Sequence, residues 1–311
     1  MRILFATDGS ATADVALDLL LSFPLRPSDH VTVLAVPVHT YTGVGIDGTG
    51  VYFAEIAQEE TAAARRLAQT IREKIGAKGV PTTARIDEGL VAQTIIDVAR
   101  SEGAGVIVMG SRGLGRLAAA VLGSTARAVS RHSPIPVLVA RDRREAPRRI
   151  LVAADGSDDA YVAIRTLAAL PLPTRPEVTL LHVLPERAAP ATHGAASPEE
   201  LQATVERCDR EDALDILSRA GKLLPGGASV RMELERGRPS ERILEVAAGS
   251  GTDLIVVGAR GRSLRGEGFL QGSTTDELLE KAHCAVLVAR APERMSAKPK
   301  PRHEGVPAGA V

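Results

Sequence analysis

Residues 106–113 read VIVMGSRG, and after nine further residues the chain continues with Gly123-Ser124-Thr125. The apolar run at the start is typical of a buried strand. A glycine at a strand end lets backbone N–H groups approach a ligand, and Gly123 precedes a helix whose first amides have no partner. The stretch therefore predicts a phosphate-binding loop, in which Arg112 and Arg116 could pair with the negative charge of the phosphate. One copy alone is equally compatible with an ordinary strand-to-helix connection.

The chain around this stretch alternates strands with helices. Short apolar strands are predicted at Arg2–Thr7, 31–36, Thr82–Ile86, 106–109 and 136–140. Helices are predicted at Ala11–Ser22, 55–75, 91–100 and 124–131. Strict alternation requires right-handed crossovers and a parallel sheet with helices on both faces. We therefore expect a doubly wound five-stranded α/β fold.

The whole pattern occurs twice in the chain. Residues 150–157 read ILVAADGS and repeat ILFATDGS at 3–10, and the loop glycines recur at 258–261 and at Gly272. Each copy contains enough elements to close its own core, so the repeat indicates two tandem domains rather than a solenoid.

The predicted boundaries follow from charge and apolar content. The first copy covers residues 1–142, and the second copy covers residues 150–292. A charged segment at 143–149 is predicted to be the linker. Residues 293–311 have almost no apolar content and are expected to be a disordered tail.

Composition limits the classes of partner. The chain has 38 Lys and Arg against 38 Asp and Glu, so no overall field draws it to nucleic acid or to an anionic membrane surface. No apolar run reaches the roughly 18 residues of a membrane span. The two cysteines have no paired spacing, and a strand beginning at Arg2 leaves no room for a signal peptide. We expect a cytoplasmic protein without nucleic-acid or membrane partners.

An acidic residue follows the first strand of each copy, at Asp8 and at Asp155. In a doubly wound sheet, ligands bind beyond the carboxyl ends of the strands where the strand order reverses. If the first and fourth strands are neighbours there, Asp8 faces the phosphate-binding loop and can accept hydrogen bonds from ribose hydroxyls or from the amine of adenine. Val36, at the end of the second strand, would supply an apolar wall. The alternative is that Asp-Gly-Ser is only a turn and helix-start signal.

These features together resemble the ATP-binding branch of the universal stress protein family. The resemblance lies in the motif Gly110-x2-Gly113-x9-Gly123-Ser124, in an Asp after the first strand and in the tandem domains. It implies an adenine nucleotide alpha-hydrolase-like fold in each copy, with parallel strands in the order 3-2-1-4-5. It also implies that Asp8 and Val36 contact ribose and adenine, and that the motif holds ribose and phosphates. The fifth strands, 137–140 and 286–289, would pair in an internal pseudo-dimer, and a homodimer of chains stays open.

The site residues predicted on these grounds lie in both copies. In the first copy they are Thr7, Asp8, Val36, Met109, Gly110, Arg112, Gly113, Gly123, Ser124 and Thr125. In the second copy they are Ala154, Asp155, Val183, Gly258, Gly261, Gly272, Ser273 and Thr274. The expected ligand is ATP, with Mg²⁺ only as a companion of its phosphates, and neither a catalytic residue nor a protein metal site is predicted.

The second copy departs from the motif. Ten residues separate Gly261 from Gly272, where the first copy has nine. Asp276 lies near the start of the following helix and could cap it, occupying amides that a phosphate would need. Glu267 adds another carboxylate. Three arginines would instead favour a phosphate: Arg260, Arg262 and Arg265. The second site is therefore predicted to be weaker or to prefer a less charged nucleotide.

The favoured function is ATP binding by a stress-response regulator that signals through a nucleotide-dependent change in loops or assembly. Binding is favoured over turnover, because hydrolysis also needs an oriented water and a metal held for the transition state. Two alternatives stay open: a slow ATPase or autophosphorylating enzyme that uses Ser124 or Thr125, and a nucleotide-free adaptor. The seven histidines show no metal-ligand spacing, and His182 is interpreted as a hydrogen-bonded core residue.

Overall fold

A computed structural model of the chain describes residues 1–38, 50–114, 122–141, 145–184, 186, 198–261 and 273–292. The first copy contains β1 (Arg2–Thr7), α1 (Ala11–Ser22), β2 (His30–Ala35), α2 (Gly50–Gly76), β3 (Thr82–Ile86), α3 (Val91–Ser101), β4 (Val106–Gly110), α4 (Ser124–His132) and β5 (Val137–Ala140). The second copy contains β6 (Arg149–Ala153), α5 (Asp158–Ala169), β7 (Glu177–Leu184), α6 (Pro198–Gly221), β8 (Ser229–Arg236), α7 (Pro239–Ser250), β9 (Leu254–Gly258), α8 (Ser273–Lys281) and β10 (Ala285–Ala289).

The predicted elements of the first copy are all present, with small shifts at their ends. Gly110 is the last residue of β4, and α2 begins at Gly50, earlier than the predicted residue 55. Arg149 is the first residue of β6, so this strand starts inside the segment predicted as linker. Several predicted features lie outside the described residues: linker residues 143–144, Arg116, Arg262, Arg265, Glu267, Gly272 and the tail at 293–311.

Both copies start their first helix in the same way. Ser10 is the N-cap of α1, and its Oγ accepts a 3.3 Å hydrogen bond from Ala13 N–H. Ser157 caps α5 through a 3.1 Å bond from Ala160 N–H. The glycine before each serine has a φ of 77°, a left-handed conformation that favours glycine. The Asp-Gly-Ser sequence is thus a tight turn, and it leaves its aspartate directly after the strand.

The strands form one continuous sheet in the order β3-β2-β1-β4-β5-β10-β9-β6-β7-β8. Neighbours within each copy are parallel, and the predicted order 3-2-1-4-5 is confirmed in both. β5 and β10 pair antiparallel, with Leu138 opposite Leu287. The expected pairing of the fifth strands is therefore present, and it fuses two five-stranded sheets into one.

Helices cover both faces of this sheet, as a doubly wound fold requires. On one face, α1, α2, α5 and α6 contribute to an apolar layer that includes Phe5 and Leu167. On the other face, α3, α4, α7 and α8 contribute to a second layer that includes Ile107 and Leu278. Both layers extend over the two copies, so the pairing of β5 with β10 joins their cores. None of the described helices is long and apolar enough to cross a membrane.

Candidate functional site

The strand order reverses between β1 and β4, which are neighbours in the sheet. Phe5 lies opposite Val108 in their parallel register, so the carboxyl ends of both strands open into the same crevice. Thr7 lies opposite Ala35 on the other side of β1, which places Asp8 and Val36 at the ends of adjacent strands. The neighbour relation that the sequence analysis assumed is therefore confirmed.

Asp8 joins the turn after β1 to the loop after β4. Its Oδ1 accepts a 3.0 Å hydrogen bond from Ser10 N–H, and its Oδ2 accepts a 3.0 Å bond from Leu114 N–H. A Cβ atom on Gly113 would lie 2.7 Å from Asp8 Oδ2, so only glycine admits this approach. Asp8 itself is exposed, and its carboxylate keeps acceptor capacity on the open side of the crevice.

The other two glycines of the motif have separate structural roles. A Cβ atom on Gly110 would lie 2.6 Å from the carbonyl carbon of Thr12, so this glycine lets β4 pack against the start of α1. A Cβ atom on Gly123 would lie 3.1 Å from Arg112 Cα. Gly123 N–H also donates a 2.8 Å bond to Ser111 O, which closes the loop at its base. Close helix packing, and not ligand approach alone, explains the glycine at position 110.

The N-terminus of α4 has no side-chain cap among the residues that the structure describes. Gly123 is the N-cap and provides no side-chain hydrogen bond, and the first turn contains no acidic residue. Ser124 is exposed and Thr125 is half-buried, whereas Ala126 packs in the core. The first amides and the positive end of the helix dipole are thus available to an anion.

Arg112 is fixed through its backbone. Its N–H donates a 3.1 Å bond to Thr12 Oγ1, and its carbonyl accepts bonds from the hydroxyls of Thr12 and Ser10. Its guanidinium makes no ion pair with any residue that the structure describes. A half-buried cation beside an open helix start is suited to a phosphate.

Three other predicted residues of the first copy have buried side chains: Thr7, Val36 and Met109. Thr7 is 8% exposed, and its Oγ1 accepts a 3.2 Å bond from Gly9 N–H. Met109 is 5% exposed and belongs to the apolar layer that contains Ile107. These side chains support the crevice from below, while Asp8, Gly113 and Ser124 lie at its surface.

The second copy repeats the layout of the crevice. Asp155 Oδ1 accepts bonds from Ser157 N–H at 2.9 Å and from Ser157 Oγ at 2.6 Å. A Cβ atom on Gly261 would lie 3.1 Å from Asp155 Oδ2, and one on Gly258 would lie 2.7 Å from Ala160 N. Asp155 and the loop after β9 therefore meet as Asp8 and the loop after β4 do.

The loop arginine of the second copy is held differently. Asp159 takes the place of Thr12 and is 4% exposed. It accepts bonds from Arg260 N–H at 2.9 Å, from Nε at 3.1 Å and from Nη2 at 3.2 Å. Asp159 was not among the predicted site residues, because an acid in the first turn of a helix is usually a partner of the helix dipole. The signal that could have found it is the replacement of Thr12 by Asp in otherwise matching segments.

Asp276, predicted as a possible cap of its own helix, has a partner in the first copy. Its Oδ2 accepts a 2.7 Å bond from Arg131 of the first copy, and its Oδ1 has no partner among the described residues. α8 begins at Ser273, followed by the half-buried Thr274, and Thr275 Oγ1 donates a 2.9 Å bond to Gly258 O. The carboxylate is drawn to the other copy because a guanidinium is a stronger partner than a helix amide.

The remaining predicted residues of the second copy lie near the ends of β6 and β7. Ala154 is buried; its N–H donates to Leu181 O at 2.9 Å, and its carbonyl accepts a 2.6 Å bond from His182 Nδ1. Val183 is a half-buried residue of β7. His182 is therefore hydrogen-bonded, as predicted, although it is half-buried rather than fully enclosed.

A cleft of about 830 Å³ lies along α2, outside the predicted site. Its described lining includes Thr61, Arg65, Arg66, Gln69 and Glu88. None of its described lining residues belongs to the glycine motif.

Comparison with known proteins identifies relatives over most of the chain. The profile of the Universal stress protein family matches residues 1–141 and 147–290. A universal stress protein of Mycolicibacterium smegmatis is 28% identical over 300 residues, which cover 93% of this chain and 96% of that protein. The universal stress protein in the QAH/OAS sulfhydrylase 3′ region of Thermus aquaticus is 41% identical over 143 residues, which are 46% of this chain and 98% of that protein.

The fold is also found among solved structures. A universal stress protein from Archaeoglobus fulgidus has a TM-score of 0.61 at 22% identity, over 93% of this chain and 96% of that chain. At this identity the likeness shows a common fold for the two tandem copies.

Proposed function

The chain belongs to the universal stress protein family, and from that premise we propose that its first copy binds ATP, or the related ADP or AMP, in the crevice between β1 and β4. The open N-terminus of α4 carries the proposal, because Gly123 provides no side-chain cap and no acid lies in the first turn. Helix amides without internal partners, at the positive end of a dipole, favour a phosphate.

Two neighbouring groups support the same ligand. Arg112 supplies a cation without an ion pair among the described residues, held in place by Ser10 and Thr12. Asp8 presents an exposed carboxylate beside Val36, which suits ribose hydroxyls next to an apolar base. A phosphate group and a nucleoside therefore have complementary partners in one crevice.

Magnesium needs no site of its own in this proposal. Mg²⁺ keeps several waters and binds readily through nucleotide phosphates. Within the described residues, no group of three His, Cys, Asp or Glu side chains is placed to hold a metal ion. The protein then acts as a cytoplasmic stress-response regulator, whose loops or assembly respond to the occupancy of the crevice.

Isothermal titration of the full chain with ATP and Mg²⁺ tests the proposal. We expect heat from binding, and an affinity at least about tenfold lower in Asp8→Asn and in Gly123→Ala. The first variant removes the charge at the ribose position. The second places a methyl group 3.1 Å from Arg112 Cα, which displaces the loop.

Asp14→Asn is the matched control, because Asp14 is an exposed acid in the first turn of α1 and lies outside the crevice. It should bind ATP as the wild type does. Absence of heat with ATP, ADP and AMP alike, together with no release of adenine nucleotide when the purified protein is denatured in acid, would contradict the proposal.

A further inference from the structure

Thr12 and Asp159 occupy the same place in the two copies, two residues after the N-cap serines Ser10 and Ser157. Both hold the loop arginine through its backbone N–H. Thr12 Oγ1 lies 3.1 Å from the N atom of Arg112, and Asp159 Oδ2 lies 2.9 Å from the N atom of Arg260. The backbone contact is therefore common to both copies, and the difference between them is one of charge.

In the second copy the carboxylate also takes the guanidinium. Arg260 Nε lies 3.1 Å from Asp159 Oδ2, and Nη2 lies 3.2 Å from Oδ1, in a two-point ion pair. Asp159 Oδ1 accepts a further 2.8 Å bond from Ala291 N–H. The side chain of Asp159 is only 5% exposed and that of Arg260 is 25% exposed. The positive charge of Arg260 is thus already paired within the protein.

The first copy has no such carboxylate. Thr12 is uncharged, and Arg112 forms no ion pair with the residues that the structure describes. Both copies nevertheless keep the contact between the strand-end aspartate and the loop glycine, Asp8 with Gly113 and Asp155 with Gly261. The two crevices therefore match at the aspartate that would face a nucleoside, and they differ at the loop arginine that would face a phosphate.

We propose that Asp159 is the specificity-determining residue that keeps polyphosphates out of the second copy, by holding Arg260 in this internal ion pair. A polyphosphate that recruits Arg260 must leave a buried carboxylate unpaired, and a polyphosphate that does not recruit it lies near that carboxylate without the counter-charge of Arg260. Either route weakens binding. The inference rests on the function proposed for the first copy, since ATP is its reference ligand.

The test is the number of ATP molecules bound per chain, measured by titration calorimetry on the full chain with Mg²⁺. Asp159→Asn keeps the size of the side chain and an acceptor for Ala291 N–H, but it releases the charge of Arg260. We expect one ATP for the wild type and two for Asp159→Asn, with the second lost again in the double variant Asp155→Asn/Asp159→Asn. Asp158→Asn, at an exposed acid one residue away, should still bind one.

The outcomes separate this inference from the proposed function. One ATP for both the wild type and Asp159→Asn overturns the inference and leaves the function of the first copy intact. Two ATP molecules for the wild type also overturn it. No ATP for the wild type but one for Asp159→Asn supports the inference and contradicts the proposed function, and no ATP for either overturns both.

A reciprocal variant covers the case in which Asp159→Asn fails to fold, which circular dichroism would reveal. Thr12→Asp introduces the carboxylate beside Arg112, and Thr12→Asn introduces the same shape without charge. We expect ATP to bind at least about tenfold more weakly to Thr12→Asp than to Thr12→Asn. Equal affinities would overturn the inference.

Discussion

Arg131 of α4 donates a 2.7 Å hydrogen bond to Asp276 of α8, and this ion pair joins the two copies of the fold. A second pair, Arg127 with Glu280, runs between the same helices. Arg131 belongs to the last turn of α4 and Asp276 to the first turn of α8, so the two helices lie antiparallel. The helices whose starts face the two crevices are therefore tied to each other directly, as well as through the pairing of β5 with β10.

Breaking the first of these pairs should weaken the contact between copies. The side chain of Arg131 is 37% exposed and that of Asp276 is 20% exposed, so solvent screens the pair only in part. We expect Arg131→Ala and Asp276→Ala each to lower the free energy of unfolding by about 1 kcal/mol, with a coupling energy of about 0.5–1 kcal/mol in a double-mutant cycle. Urea unfolding of the four proteins measures both quantities.

The matched control is the pair Arg219–Asp215, which lies within α6 and whose side chains are 65% and 57% exposed. Its coupling should be about 0.3 kcal/mol, as for exposed pairs four residues apart in a helix. A coupling between Arg131 and Asp276 no larger than this value would show that the pair does not hold the copies together.

The glycines at the ends of β4 and β9 should be essential to stability. An added Cβ atom would lie 2.6 Å from the backbone of α1 at Gly110 and 2.7 Å from that of α5 at Gly258. We expect alanine at either position to lower the free energy of unfolding by about 1–3 kcal/mol, because a strand and a helix must separate.

Gly76→Ala provides the comparison, since nothing lies within 4 Å of that position and its φ is not positive. It should be neutral or stabilising by up to about 1 kcal/mol in urea unfolding. Equal costs at Gly76 and Gly110 would refute the packing argument.

Much of this fold follows from local sequence. The strand order 3-2-1-4-5, and with it the crevice between β1 and β4, was implied by the family resemblance. The apolar runs, the Asp-Gly-Ser turns and the repeat at 150–157 predict the elements and their duplication. These features are predictable because each depends on a short stretch of chain: a turn needs its glycine, and a buried strand needs its β-branched residues.

What sequence reasoning missed depends on contacts between distant segments. Asp159 and Arg260 are far apart in the chain, and Asp276 with Arg131 are further apart still. An acid near a helix start has several possible partners, and only the packing of the helices selects one. Asp276 was predicted as a possible cap of its own helix and Asp159 was not among the predicted site residues, so the charge balance of the second crevice could not be predicted from the motif alone.

The two cysteines should differ sharply in reactivity. Burial, with a smaller contribution from Asp253, raises the pKa of the Cys284 thiol from 9.0 to about 12, whereas Cys208 is exposed on α6. We expect a disulfide reagent at pH 8 to modify one thiol in the folded protein and the second only after unfolding in guanidinium. Modification of Cys284 in the folded chain would contradict the burial of that thiol.

The same pKa shift predicts a change of stability with pH. The unfolded chain releases the Cys284 proton near pH 9, whereas the folded chain keeps it to about pH 12. The contribution of this thiol to stability is therefore full below pH 9 and is lost as the pH rises toward 12. Between these values the free energy of unfolding should fall more steeply in the wild type than in Cys284→Ala, by up to about 1.4 kcal/mol per pH unit. Parallel slopes for the two proteins would contradict the shift.

Arg112 and Arg260 should respond in opposite ways to truncation. Arg112→Ala removes a cation that pairs with no described residue, so the free energy of unfolding should change by less than about 0.5 kcal/mol. ATP affinity should fall about tenfold, because a charge-assisted contact to phosphate is lost.

Arg260→Ala instead leaves the buried Asp159 carboxylate without its counter-charge. This change should lower the free energy of unfolding by about 2–4 kcal/mol and leave ATP binding by the first copy unchanged. Urea unfolding measures the stability of both variants, and calorimetry measures their ATP affinity. A large stability loss in Arg112→Ala would contradict the roles assigned to these arginines. A loss of ATP binding in a folded Arg260→Ala would contradict them as well.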